Sequence, residues 1–291
     1  MAFFFPGCSR QASVARNSGN AEDKPVLALS ILPQTWFAEQ LAGQRIQTVV
    51  LVGPGQNPHN YEPTPAQMKE LAQAGAWVLS GAEFELSLLP KIRNVFNSLA
   101  IIDGTEGVNF RMLESDDDDA HHHDEHGIDR HTWLGCGPAK ILAGHIRDAL
   151  VLLDPAGENI YNENYLALLS EIDTEFTALR AELLPLQGSR VYVYHPSFGY
   201  FLDEFGIGQE AVETGGKEPG HRELAQLIAA MKQEQVPAIF VQAQFPANAT
   251  KAVAQATGAQ LISLDPLSAN WLANIRVMGN ALKNAIQAGN Q

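Results

Sequence analysis

The sequence predicts an α/β protein of two lobes, each a parallel-type sheet flanked by helices, joined by one long rigid helix, with a candidate metal site in the cleft between them. Three observations carry this. Short apolar or β-branched runs alternate with helical segments in both halves, the pattern of parallel strands covered on both faces. One nearly uninterrupted helical pattern occupies the middle of the chain, longer than a small lobe needs. Reactive side chains follow directly after several strand runs, where open parallel sheets bind their ligands.

Taken in order, Val26 to Leu32 suits a buried strand and Gln34 to Ala42 a helix. Gln47 to Val52 is a second strand, closed by the turn Gly53-Pro54-Gly55. The loop Asn57 to Pro63 is stiffened by two prolines. Thr64 and Gln67 form a capping box with Pro65 at the first helical position, predicting a helix to about Ala74. Ala76 to Ser80 and Leu99 to Asp103 are strands, separated by a helix near Ser87 to Asn97. A helix from about Pro138 to Leu153 ends at Asp154-Pro155. From Gly157 to Leu184, Tyr161, Leu168, Ile172, Phe176, Leu179 and Leu183 recur at three- and four-residue steps. At ~1.5 Å per residue this helix is roughly 40 Å long, a strut between lobes.

The second half repeats the alternation: strands at Val191 to Tyr194, Glu210 to Glu213, Ala238 to Gln242 and Gln260 to Leu264, helices at Phe198 to Phe205, Arg222 to Glu234, Pro246 to Thr257 and Asn270 to Gln287. The expected domains are a signal remnant and tether at 1–25, an N-terminal lobe at 26–155, the linking helix at 156–186 and a C-terminal lobe at 187–291.

Of 291 residues, 45% are hydrophobic and 18% charged, enough apolar material for real cores. A formal net charge of −14 argues against nucleic acid, whose phosphates need a basic surface, and against anionic lipid. The two cysteines, Cys8 and Cys136, imply no disulfide framework. No apolar run approaches the roughly 18–20 residues that span a bilayer. Met1 to Cys8 resembles the tail of a bacterial lipoprotein signal, with Cys8 as the lipidated residue, although it lacks a basic leader and its apolar part is short. Residues 9–25 would then be a flexible tether.

The densest chemistry lies between Asp116 and His131, with five imidazoles and seven carboxylates. No core can bury so many ionisable groups, so residues 115–127 read as a solvated loop. Asp116 to Asp119 alone reads as a solubilising run. His121, His122, His123 and His126 read as an auxiliary, weaker metal-binding cluster. Four further candidates stand apart from this cluster, three of them just after strands. His59 follows Gln47 to Val52, His195 follows Val191 to Tyr194, Asp265 follows Gln260 to Leu264, and His131 precedes Trp133. Three imidazoles with a carboxylate or water are a common zinc environment. Cys136 reads as a buried inert thiol, His145 and His221 as structural, and Glu62 as an oxygen ligand only if its flanking prolines do not turn it outward.

The wording of these segments carries a resemblance. Asn57-Pro58-His59-Asn60-Tyr61-Glu62-Pro63-Thr64-Pro65, Asp129-Arg130-His131-Thr132-Trp133-Leu134 and His195-Pro196-Ser197-Phe198-Gly199-Tyr200-Phe201 are similar to three successive signatures of one family. That family is the metal-specific solute-binding proteins of bacterial ABC importers, especially the zinc-binding branch. Gly216-Lys217-Glu218-Pro219, Phe240 to Phe245 and Asp265-Pro266-Leu267 follow in the same order, so the resemblance covers about residues 26–288. It implies two α/β lobes on one helix, one metal in the cleft, His59, His131 and His195 as zinc ligands, and Asp265 or water at the fourth position. It also implies a permease partner, a monomer, and a place in the periplasm or on the outer face of the cytoplasmic membrane. Manganese and iron members usually carry Glu where this chain has His195, and a third imidazole favours zinc. Gly135-Cys136-Gly137-Pro138 departs from the family's usual Asp-Pro after Trp-Leu.

Three functions are compatible with these residues. The first is extracytoplasmic capture of Zn²⁺ for an ABC permease, with manganese or another divalent ion as the alternative cargo of the same fold. The second is a three-histidine zinc hydrolase, whose metal would activate water. The sequence holds no His-Glu-x-x-His helix, Gly-x-Ser-x-Gly elbow or P-loop. The third is an adhesin-like surface role, on which the sequence is silent.

Overall fold

The computed structural model describes residues 24–113, 127–213, 220–242, 244–245 and 248–289. The signal remnant with Cys8 and the cluster His121, His122, His123 and His126 lie outside the described residues.

Two four-stranded parallel sheets form the framework. In the first half β1 (Val26–Ile31), β2 (Gln47–Val52), β3 (Ala76–Leu79) and β4 (Ala100–Asp103) lie in the order β2-β1-β3-β4. In the second, β5 (Arg190–Val193), β6 (Gly208–Ala211), β7 (Ala238–Val241) and β8 (Gln260–Ser263) lie in the order β6-β5-β7-β8. The two sheets share one topology. The chain order reverses beside β1 and beside β5, which makes the carboxyl ends there the natural ligand sites.

The helices are α1 (Pro33–Ala42), α2 (Pro65–Leu71), α3 (Glu83–Val95), α4 (Cys136–Leu153), α5 (Glu158–Leu183), α6 (Gly199–Asp203), α7 (His221–Gln233), α8 (Asn248–Thr257) and α9 (Trp271–Gly289). The long strut is present as α5, with Tyr161, Leu168, Ile172, Phe176, Leu179 and Leu183 buried along one stripe. That stripe lies against α1 and α4 on one side and α9 on the other. One apolar core therefore runs through both lobes. Apolar burial at about 25 cal/mol per Å² makes this shared core the chief force holding the lobes in register.

Tryptophans complete the junction. Trp271 at the start of α9 packs on Trp36 and Phe37 of α1, with ring centroids 5.4 and 4.9 Å apart. Its indole N–H donates to the Trp133 carbonyl at 2.7 Å, and the Trp133 indole donates to the Pro266 carbonyl at 2.8 Å.

Local chemistry explains where helix ends differ from expectation. The Thr64–Gln67 capping box is present, but α2 stops at Leu71, because Gly75 must donate to the Val26 carbonyl to lead into β3. Helix α3 begins at Glu83, four residues before the expected Ser87. Its N-cap, Ala82, offers no side-chain acceptor, which hid the start. The cap comes from inside the helix. Glu85 accepts from the Ser80 and Gly81 backbone N–H groups at 2.8 and 2.9 Å. Pro90 sits within α3, and the carbonyl its missing N–H leaves free belongs to exposed Leu86. Strand β6 runs from Gly208 to Ala211, two residues earlier than Glu210 to Glu213. This places Glu213 just past the strand.

Candidate metal centre

His59 and His131 are set by short, self-capping segments, and His195 by a side chain from beyond the neighbouring strand. His59 lies in a 3-10 turn, Pro58–Asn60, whose Asn57 side chain accepts from the His59 N–H at 3.0 Å. The His131 N–H donates to Asp129 Oδ1 at 2.9 Å, and the 3-10 turn Thr132–Leu134 follows. His195 leaves β5, where Gln242 accepts from its N–H at 3.3 Å and donates to its carbonyl at 2.8 Å. The same amide donates to Ser197 Oγ at 2.9 Å.

These segments bring three imidazoles from both halves of the chain to one point. His59 Nε2 lies 2.9 Å from His195 Nε2, which lies 3.2 Å from His131 Nε2. Among the described residues, these three form the one group of metal-ligating side chains whose donor atoms all fall within 4.8 Å of each other. They line a cleft together with Glu83, Arg130 and Phe245. Phe245 stacks on the His195 ring with centroids 4.5 Å apart.

Every imidazole is held from behind by a carboxylate. His59 Nδ1 lies 2.8 Å from Glu83, His131 Nδ1 2.8 Å from Asp129 and His195 Nδ1 2.9 Å from Glu213. The His59 hydrogen bond holds the Glu83 carboxyl below its usual range. Burial works to raise the Asp129 carboxyl, but hydrogen bonds from His131 and Arg111 outweigh it and hold it low. An ionised carboxylate only accepts, so the proton of its imidazole sits on Nδ1 and the Nε2 lone pair faces inward. Three lone pairs on nitrogens that all lie within 4.8 Å of one another repel unless a cation lies among them. This arrangement, imidazole backed by carboxylate, is the usual support of a metal-ligating histidine. Burial, then the neighbouring His131 and His59, pushes the His195 imidazole well below its ordinary value of 6.5, which keeps it neutral and able to ligate.

Not every candidate joins the cluster. Asp265 is exposed, and its carboxylate accepts instead from the Gln244 side chain at 2.7 Å and the Leu267 N–H at 3.0 Å. The tight turn into Pro266 commits that group locally, so the structure does not bring Asp265 to the three imidazoles. Glu62 is exposed. Cys136 opens α4 as a buried free thiol, and burial pushes it up to about 11, so thiolate is scarce at neutral pH. His145 bonds the Glu106 carbonyl at 2.9 Å, and His221 opens α7.

Sequence reasoning assigned no role to Glu83, Asp129 or Glu213. Asp129 and Glu213 are almost fully buried, 0% and 3% exposed, which composition does not foretell for carboxylates. The available signal was position, since Asp129 precedes His131 by two residues and Glu213 follows the strand neighbouring the one that ends at His195.

Two parallel α/β lobes on one helix, with three inward-facing imidazoles between them, define a two-lobed metal-binding protein. The family model "zinc-uptake complex component A periplasmic" matches residues 27–285, and the chain belongs to that family. The chain is 27% identical over 259 residues to the high-affinity zinc uptake system protein ZnuA of Yersinia pestis, covering 82% of this chain and 81% of that one. It is 26% identical over 251 residues to the manganese-binding lipoprotein MntA of Halalkalibacterium halodurans, covering 83% and 78%. The zinc-binding lipoprotein AdcA of Streptococcus pneumoniae is 25% identical over 261 residues, and the match spans 87% of this chain but 50% of AdcA. A crystal structure of ZnuA superposes with a TM-score of 0.83 at 32% identity, over 90% of this chain and 99% of that one. A zinc-bound ZnuA deletion mutant gives 0.81 at 33% identity, over 90% and 98%.

Proposed function

We propose that this protein captures Zn²⁺ outside the cytoplasm on His59, His131 and His195 and hands it to the membrane permease of an ABC importer. The convergence of three Nε2 atoms, each ring held by a carboxylate at Nδ1, carries the reading. Three neutral imidazoles suit zinc, which takes nitrogen ligands at roughly 2.0–2.1 Å in tetrahedral sites, with water completing the fourth position here. Manganese is harder and favours oxygen, and the carboxylates here are spent on the rings instead of the cargo. The likeness to zinc-uptake and zinc-binding relatives supports the same cargo, and the manganese-binding relative marks the alternative.

Binding without chemistry fits the same geometry. A hydrolytic zinc site needs a general base near the metal-bound water. Glu83, Asp129 and Glu213 are each engaged with a ring nitrogen. The sheet ends supply a binding cleft, and none of the described helices is long and apolar enough to cross a membrane. The family description, a component of a zinc-uptake complex, supports a permease partner that receives the ion.

The test is zinc titration against a competing chelator. One tight site is expected, lost in His131→Ala and His195→Ala and weakened in His59→Ala. Unchanged affinity in all three would defeat the assignment.

A further inference from the structure

We infer that Arg111 is a positioning residue for the metal site, acting on His131 through Asp129 and fastening that pair to the C-terminal lobe. Arg111 touches none of the three imidazoles. Its Nη1 donates to Asp129 Oδ2 at 2.8 Å, while Asp129 Oδ1 accepts from both the Nδ1 and the backbone N–H of His131. One buried carboxylate thus has one oxygen on the arginine and the other on the histidine. Through Nε, at 2.9 Å, Arg111 also binds Asp203 at the end of α6.

The backbone is tied in as well. The Arg111 N–H donates to the Tyr200 hydroxyl at 3.0 Å, and that hydroxyl donates to the Asp129 carbonyl at 3.1 Å. Helix α6 comes so close that a side chain at Gly199 would collide with the guanidinium and with Asp129. A planar fork is the group that reaches two carboxylates in fixed directions.

The consequence is a choice of tautomer. With Arg111 in place, the Asp129 carboxylate is pinned and ionised, and the His131 proton stays on Nδ1. Without it, Asp129 Oδ2 is buried without that donor, and the carboxylate reorients or takes up another partner. His131 then gains access to the form with its proton on Nε2, which points N–H into the cleft and cannot ligate. Because the fork also holds Asp203, the ring is aligned to the lobe that carries His195. The affinity part of this inference rests on the zinc reading, whereas the tautomer part does not.

The test uses the full chain, metal-free, with ¹⁵N-labelled imidazoles followed by long-range ¹H–¹⁵N NMR, then zinc titration. In the unaltered protein His131 should show the Nδ1–H pattern. Arg111→Met should give a mixture of tautomers at His131 with His195 unchanged, and weaken zinc by roughly tenfold or more. Arg111→Lys should recover much of the tautomer loss by restoring a cation to Asp129, and less of the affinity, because an ammonium lacks the fork that also holds Asp203. Tyr200→Phe, a milder change, should move His131 in the same direction by less. An unaltered His131 pattern in Arg111→Met, or equal disturbance of His195, overturns the inference. If Arg111→Met does not fold, the Lys and Phe variants decide it by the same pattern. A tautomer shift in a protein that binds no zinc would uphold the positioning role and defeat the zinc reading.

Discussion

His195 Nδ1 lies 2.9 Å from Glu213 Oε1, and both groups are almost wholly withdrawn from water. The carboxylate comes from just past β6 and the imidazole from the end of β5, so parallel pairing of these strands sets the contact. This relation fixes which nitrogen of His195 is offered to a metal.

Removing that partner should cost affinity more than fold. Glu213→Ala should weaken zinc by roughly 10–100-fold, the usual loss when a histidine's outer partner is deleted. Chelator competition measures it, and a loss under twofold would count against the pairing.

Acid should act on His195 first through stability. Its imidazole is held well below 6.5 by burial and by the neighbouring rings, so the unfolded chain takes up a proton that the folded one resists. The stability this residue supports is complete above about pH 6.5 and is lost as pH falls below that. Urea midpoints of the metal-free protein from pH 8 to 5 should decline, and His195→Gln should flatten the decline. Zinc affinity should fall over the same range, because protonated imidazole does not coordinate.

Glu85 should act with the opposite sign. Burial raises its carboxyl to about 7, above the unfolded value of 4.5. Its contribution is whole below about pH 4.5 and lost as pH rises through about 7. Glu85→Gln should remove this slope while costing about 1–3 kcal/mol, since an amide N–H₂ would face a backbone donor at Ser80 or Gly81. Urea unfolding of this variant beside His195→Gln separates the two effects.

Deleting Asp116 to His126 should spare the tight zinc and remove weaker additional ions. The flanks of the deletion are already joined, by the Leu113 N–H to the Gly127 carbonyl and the Asp129 N–H to the Arg111 carbonyl. Zinc stoichiometry by titration checks this, and loss of the tight site would contradict it.

Trp271→Ala should destabilise by about 3–5 kcal/mol, because the indole is 1% exposed and bridges α9 to α1. Denaturant unfolding measures the loss.

The sequence by itself determined the alternation of strands and helices, the long α5 with its buried stripe, and His59, His131 and His195 as the residues to watch. These are local facts. Periodicity follows from which faces meet a core, and the three histidines stand in short motifs, two of them after strands and His131 before a short turn. Boundaries slipped where the cap was not local, as at α3, which Glu85 closes from within. The tertiary structure alone decided that the three imidazoles meet, that Asp265 is held elsewhere, and that Glu83, Asp129, Glu213 and Arg111 stand behind the rings. Those relations join residues from 2 to 136 positions apart. The pattern of a segment records whether a face is buried, but not which distant group it is buried against.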